Sequence, residues 1–457
     1  MKLTFGIHDK PKFPQLIVFA IQQLLAIMAA TLVVPVIIEG ATGLPLSPAA
    51  ALLGAGCGTL VYILFTKAKS PVFLGSSFAF INSMIAAVAG AATAGLGYLG
   101  LVLGAIMAGL VYVVIAVIVK FAGVNWLNKL MPTVVIGPTV AIIGLSLAGN
   151  AVGDAQNGEV LVDGLAVAHP LVCILIAVIT LVAVTIASTY GKKMAKLIPF
   201  IIGIGCGYAV AAIFTIIGNI AGIDALKVID FSYFSALLTD GKVTLATFLS
   251  VPQIVGFKAL GSFGEINGAY IGTLLAAYVP VAFVVFAEHI ADHKNISSII
   301  EKDLLEDPGL SRTLLGDGVG SMVGAFFGAC PNTTYGESVA CVAITGNASV
   351  ATIVATAIGA IIISFLSPFV AIVNSIPPCV MGGVCIALYG FIAVSGLKMI
   401  QKVDLEENRN LFVVSTILIC GIGGLTLNFG QVTITSIATA LILGIIVNII
   451  LGKKAKE

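Results

Sequence analysis

A glutamate stands at position 337 in the run Cys330-Pro331-Asn332-Thr333-Thr334-Tyr335-Gly336-Glu337, between stretches of 19 and 60 residues without a charged side chain. Such an acid cannot easily be assigned to a surface. It either serves a ligand or a coupled ion, or is a structural acid hydrogen-bonded to neighbouring Ser and Thr. A second acid, Glu288, follows 22 uncharged residues and precedes His289, Asp292, His293 and Lys294. This cluster admits two readings. It marks the end of a membrane helix, or Glu288 and Asp292, four apart and on one helical face, form a proton path from a buried acid toward the cytoplasm.

Other residues capable of chemistry are poorly placed for it. Asp317 lies inside a glycine motif and reads as an interfacial or helix-packing acid, while His169 precedes Pro170 at a span boundary and His8 sits in the N-terminal tail. The eight cysteines lie singly in apolar stretches with no paired spacing, so neither a metal site nor a disulfide framework is expected. Nucleophile elbow, Walker loop and HExxH patterns are absent, and the glycine runs sit in apolar segments, where they serve packing rather than nucleotide binding. No cofactor is expected, and a membrane-embedded enzyme lacks its constellation.

Membrane helices must position these groups. The 457 residues are 59% hydrophobic and 9% charged, far below the roughly one-quarter charged of soluble domains. With 22 Lys+Arg against 21 Asp+Glu there is no basic field for nucleic acid. A helix needs about 20 apolar residues to cross a bilayer, so charge-free intervals count the spans. Residues 13–38, 40–66, 130–153, 164–191 and 197–223 hold one each and 70–119 holds two; 266–287 and 318–336 hold one each, 338–397 three and 410–452 two. The expectation is an all-α polytopic protein of fourteen spans. The first is longer than a signal h-region and reads as retained.

Lys67/Lys69, Lys120/Lys129, Lys192/Lys193/Lys196, Lys294 to Arg312, Lys398 to Arg409 and Lys453/Lys454/Lys456 all follow even-numbered spans. Because Lys and Arg collect on the cytoplasmic side, both termini are placed there. The loop Gly149–His169, with Asp154, Glu159 and Asp163 but no Lys or Arg, is placed outside, as is the connection near 222–265.

The two halves echo one another. Leu52-Leu53-Gly54-x-Gly56-x-Gly58-Thr59-x-Val61 recurs as Leu314-Leu315-Gly316-x-Gly318-x-Gly320-Ser321-x-Val323, 262 residues on, and Pro71 before GSSFAF corresponds to Pro331 before NTTYGE. Pro132, Val135 and Gly137 are echoed more weakly by Pro377, Val380 and Gly382. Each pairing joins span n to span n+7, an odd step, so the copies are inverted. Inverted repeats with Pro- or Gly-broken spans are a transporter architecture with its site near mid-membrane. Spans 3 and 10 fit: a Pro and a short Ser/Thr/Gly-rich run precede apolar helix, so half-helix N-termini could hold a ligand with carbonyl oxygens. The alternative is that Gly and Pro only permit kinks and packing.

Ala287-Glu288-His289, Pro331 to Glu337 (PNTTYGE), Leu74 to Phe80 (LGSSFAF) and Pro377 to Gly383 (PPCVMGG) resemble the bacterial uracil permeases of the nucleobase-ascorbate transporter family, over nearly the whole chain. The resemblance implies two inverted sets of seven spans. A core domain would comprise residues 1–121 (spans 1–4) and 266–374 (spans 8–11), and a gate domain 122–223 (spans 5–7) and 375–457 (spans 12–14), with 224–265 as an extracellular connection. It implies proton-coupled uptake of uracil or a related nucleobase across the cytoplasmic membrane by alternating access, and suggests a homodimer through the gate. Glu288 and Glu337 would accept from the ring N–H groups, backbone N–H groups around Phe78 and Gly336 would donate to the carbonyls, and Ser77 would also belong to the substrate site. Phe78 or Tyr335 would cover a ring face, and Glu288, Asp292 and His293 would be the groups of proton coupling.

Two departures qualify this. Some uracil permeases carry His four residues after the span 8 Glu, where Asp292 stands here with His293 next to it, and the common Asn-x-Gly after the span 10 Glu is here Ser338-Val339-Ala340. A xanthine or purine:proton symporter of the same family is therefore an alternative. From a different class, so is an anion transporter or channel of the same architecture, against which a Glu at the break counts.

Overall fold

The computed structural model describes residues 3–123, 131–162, 165–192, 194–238, 241–429 and 432–453. Lys129, Asp163, Lys193, Lys454 and Lys456, which enter the charge reading, lie outside them. The chain is mainly helical. In order come α1 (Phe13–Thr42), α2 (Pro48–Phe65), β1 (Leu74–Ser76), α3 (Ile81–Ala89) and α4 (Ala94–Ala122). Then follow α5 (Thr133–Ser146), α6 (Ala148–Asp154), the two-residue strands β2 (Leu161–Val162) and β3 (Leu165–Ala166), α7 (Pro170–Tyr190) and α8 (Pro199–Ala221). After a connection of short turns come α9 (Gly268–Ile300), α10 (Leu310–Gly328), β4 (Asn332–Thr334), α11 (Gly336–Thr345), α12 (Val350–Ser364) and α13 (Ser367–Asn374). The chain ends with α14 (Pro378–Ile400), α15 (Asn408–Ile422), a hairpin of β5 (Leu427–Phe429) and β6 (Val432–Ile434), and α16 (Ser436–Lys453).

Among the described residues, eight helices are long and apolar enough to cross a membrane. Their outward residues are themselves apolar: Leu64, Phe121 and Ile220 are 77%, 80% and 83% exposed, as a lipid-facing surface requires and an aqueous one would not tolerate. The protein is a multi-pass membrane protein.

Local sequence sets the helix ends. Ser47 accepts from the backbone N–H of Ala50 at the start of α2, and Asn267 from that of Tyr270 at the start of α9, pairing amides that a helix leaves free. Charge-free intervals misjudge α9 most. They stop at Glu288, whereas the helix continues through Asp292 and His293 to Ile300, because those groups face the protein interior and need no exit from the bilayer.

The repeated glycine motifs form the crossing of α2 and α10. A Cβ on Gly54 would strike the Gly324 carbonyl, and one on Gly58 the Gly320 carbonyl, so the backbones approach as only small residues allow. Gly56 meets α12 at Ala357 and Ile361, while Gly318 meets α4 at Gly109 and Tyr112. The crossing also anchors both short strands. Thr59 of α2 accepts from the Leu74 N–H at 2.9 Å, and Asn332 of β4 donates to the Gly54 carbonyl at 3.1 Å. Elsewhere α12 packs on α1 and α2, and α9 on α4; α5 packs on α14 and α15, α7 on α8 and α14, and α15 on α16.

Candidate functional site

β1 and β4 pair antiparallel, Leu74 opposite Thr334, Gly75 opposite Thr333 and Ser76 opposite Asn332. The ladder continues past both ends: Ser77 N–H donates to the Pro331 carbonyl at 2.9 Å and Tyr335 N–H to the Phe73 carbonyl at 3.1 Å. Immediately after β1 a single turn, Phe78–Phe80, leads into α3, and immediately after β4 α11 begins at Gly336. Two half-helices thus start from one strand pair and leave in opposite directions. Their first-turn amides lack intrahelical acceptors, and the positive ends of their dipoles converge.

A cavity of about 490 Å³ lies against these two starts. Its polar side is formed by Ser77, Phe78, Thr333, Thr334, Tyr335, Gly336 and Glu337 from the breaks, and by Glu288, Asp292 and Asn295 from α9. Thr334 donates its hydroxyl to Asp292 at 2.8 Å. A Cβ built on Gly336 would have Asp292 Oδ1 as its nearest neighbour at 3.8 Å, which places this carboxylate beside the start of α11. Ser77 is buried, and its Oγ has no protein partner among the described residues. Tyr335 is more constrained: its hydroxyl donates to the Ser76 carbonyl at 2.8 Å and its ring lies on Gly75.

The opposite wall is apolar. Ile136, Val140 and Ile143 of α5, Phe200 of α8, and Leu388, Phe391 and Ile392 of α14 form it, with Ser395 and Met399 further along α14. Phe78 meets Tyr389 of α14 edge to face at 6.3 Å, and Asn82 of α3 donates to Ser146 of α5 at 3.1 Å. The cavity lining extends along α9 to Asn295 and along α14 to Met399, next in sequence to Lys294 and Lys398.

Seven of the eight residues singled out in the sequence, Glu288, Glu337, Phe78, Gly336, Ser77, Tyr335 and Asp292, line this one cavity. His293 does not. Successive helical residues turn by about 100°, so Glu288 and Asp292 share the cavity face while His289 and His293 share the back. There His293 Nδ1 meets the His289 carbonyl at 2.8 Å and Nε2 meets the Tyr62 hydroxyl at 2.7 Å. Of the departures, Ala340 lines the cavity, whereas Ser338 is buried behind it, accepting from Gln23 at 2.5 Å and from the Phe73 N–H at 3.0 Å.

Sequence reasoning missed two things. The apolar wall has no signal, since any apolar residue of a span looks alike. The buried pair of His289 with Asp317, at 2.6 Å, joins two helices through residues 28 apart, which spacing within one helix cannot show. Among the described residues the cysteines are free and no group of three or more His, Cys, Asp or Glu is placed to hold a metal.

The Permease family matches residues 14–430. The chain belongs to that family. This permease is 38% identical to the uracil permease of Bacillus caldolyticus over 453 residues, covering 98% of this chain and 95% of that one. It is 35% identical to the uracil permeases of Bacillus subtilis (strain 168), covering 100% and 97%, and of Escherichia coli (strain K12), covering 97% and 92%. The motif resemblance therefore holds along the full chain, and the permease is a transporter rather than an enzyme. Its fold is similar to the transmembrane domain of the cyanobacterial bicarbonate transporter BicA, with a TM-score of 0.62 at 14% identity over 97% of this chain and 100% of that one. It is also similar to murine Solute Carrier 26 family member A9 in the inward-facing state, with 0.62 at 12% identity over 98% and 69%.

Proposed function

We propose that this permease carries uracil into the cell together with protons, by alternating access. The observation that carries the reading is the meeting of Glu288, Glu337 and two opposed half-helix starts in one cavity. Uracil presents two ring N–H donors and two carbonyl acceptors on a flat ring. Carboxylates accept from the donors in strong, charge-assisted hydrogen bonds, the half-helix amides near Phe78 and Gly336 donate to the carbonyls, and the aromatic edge of Phe78 flanks the ring. The names of the relatives agree with this chemistry. Glu288 and Asp292, on the cavity face of α9, are the acceptors proposed for the coupled proton; no cofactor is needed.

The finer architecture belongs to the same proposal. The eight long helices, the five shorter apolar ones and Leu310–Gly328 make fourteen crossings, and Gly56 facing α12 as Gly318 faces α4 fits two inverted sevens. α1–α4 with α9–α12 form the core body that bears the polar side of the cavity, and α5, α7, α8 and α14–α16 the gate body that bears its apolar wall. Both termini are assigned to the cytoplasm, so the cavity faces inward, with Asn82–Ser146 and Phe78–Tyr389 holding core to gate on the outer side. The gate is also the proposed surface for a homodimer. The likeness to a bicarbonate transporter is one of fold. A site with three carboxylates repels an anion and suits a neutral ring with N–H donors.

Equilibrium binding of radiolabelled uracil to the purified protein tests the site. Glu337→Gln replaces an ionised acceptor with an amide, and a lost hydrogen bond to a charged group costs about 1.5–3 kcal/mol, so affinity falls roughly 10- to 150-fold. Unchanged binding by this variant removes the reading.

A further inference from the structure

The back face of α9 carries a buried pair that the transport chemistry above leaves unused. His289 Nδ1 lies 2.6 Å from Asp317 Oδ2 of α10, and both residues are fully buried away from the cavity. His289 Nε2 lies 3.0 Å from the Thr313 hydroxyl, which itself donates to the Leu310 carbonyl at 3.1 Å. With the hydroxyl proton on that carbonyl, Nε2 carries hydrogen and donates. The short contact on the other side then needs a proton of its own, held on Nδ1 or on Oδ2.

Charge balance leads to the same count. An isolated ion in a dry interior costs several kcal/mol, so the pair is stable as imidazolium with carboxylate or as imidazole with carboxylic acid. Each arrangement is neutral overall, and each holds one shared proton. His293, its ring stacked at 4.1 Å, meets the His289 carbonyl through Nδ1 and, through Nε2, the Tyr62 hydroxyl, which itself donates to Ser70 at 2.7 Å; a second cation stacked so close would repel an imidazolium. Tyr112 of α4 meets His289 edge to face at 6.3 Å. Glu288 and Asp292 of α9, and Glu337 of α11, line the cavity on the other side.

The tie spans two elements that the site needs in register. α10 packs chiefly on α2 and α4 and leads directly into β4 and α11, which bear Thr334 and Glu337; α9 bears Glu288 and Asp292. We infer that His289 and Asp317 are positioning residues: they hold one proton that is not exchanged during transport, and this neutral pair staples α9 to α10 so that Glu288 and Glu337 share one cavity.

The inference rests on the uracil:proton reading for its transport assay, and thermal unfolding gives it a readout independent of that reading. The full-length protein is compared with Asp317→Asn, Asp317→Ala and His289→Ala, by unfolding from about pH 5 to 9, by radiolabelled uracil binding, and by uptake into proteoliposomes driven by a pH gradient. A carboxamide N–H donates to Nδ1 as a carboxylic acid does. Asp317→Asn therefore melts with the wild type at every pH, binds uracil within about threefold, and keeps the pH profile of uptake, while both alanine variants melt lower and bind at least roughly tenfold more weakly. If Asp317→Asn binds uracil but loses gradient-driven accumulation, the pair carries the transported proton and the inference is overturned. Wild-type affinity in Asp317→Ala overturns it as well. If the wild type binds no uracil, the transport reading fails and unfolding decides alone: Asp317→Asn melting with the wild type supports the staple, and melting with Asp317→Ala overturns it.

Discussion

Glu337 and Glu288 were legible in the sequence because a carboxylate inside charge-free apolar chain has few bland explanations, and both line the cavity. His293 was grouped with them by proximity in sequence, yet one residue of helical rotation carries it to the back of α9. The same site allows a test that separates binding from folding. Ser77 is buried and its Oγ has no protein partner among the described residues. Removing an unsatisfied hydroxyl costs the fold nothing, so Ser77→Ala keeps the wild-type melting temperature, while uracil affinity drops about threefold to tenfold, the worth of one neutral hydrogen bond of about 0.5–1.5 kcal/mol. Calorimetry of unfolding together with a binding isotherm checks both halves. Glu288→Gln, by contrast, loses gradient-driven accumulation. An uptake time course that still rises above equilibrium in this variant would assign the coupled proton elsewhere.

The glycine repeat at the level of helices was visible as a repeated string, and its physical content is the α2–α10 crossing that anchors β1 through Thr59 and β4 through Asn332. The pairing of β1 with β4 was not visible, since three residues are too few to show a period of two. Prolines revealed only that the spans break, not that the breaks meet. At this scale the glycines divide by what a side chain would meet. Gly320→Val drives a branched side chain into the Gly58 carbonyl and Leu74 and yields little or no monodisperse protein, whereas Gly205→Ala in α8 has open space around it and is neutral or stabilising by up to about 1 kcal/mol. Fluorescence-detected size exclusion of the two variants distinguishes a packing role from general tolerance.

Taken whole, the molecule sets a polar half-cavity on one group of helices against an apolar wall on another, joined on one side by Asn82–Ser146 and Phe78–Tyr389. The boundaries between these groups could not be read from composition, because both are equally apolar; only the motif resemblance proposed them. If the two move as bodies, tying them on that side arrests transport. The double variant Asn82→Cys with Ser146→Cys, oxidised in membranes, stops uptake, and a reductant restores it. Uptake that continues through complete crosslinking contradicts rocking of core against gate.

Movement of uracil and its coupling to protons are tested together by one measurement. Radiolabelled uracil uptake is followed in proteoliposomes with and without an imposed pH gradient, acid outside, with unlabelled xanthine and other pyrimidines as competitors. Accumulation above the external concentration only while the gradient lasts, competed by unlabelled uracil and not by xanthine, is the expected result. Uptake that ignores the gradient, or label displaced by xanthine in preference to uracil, contradicts it.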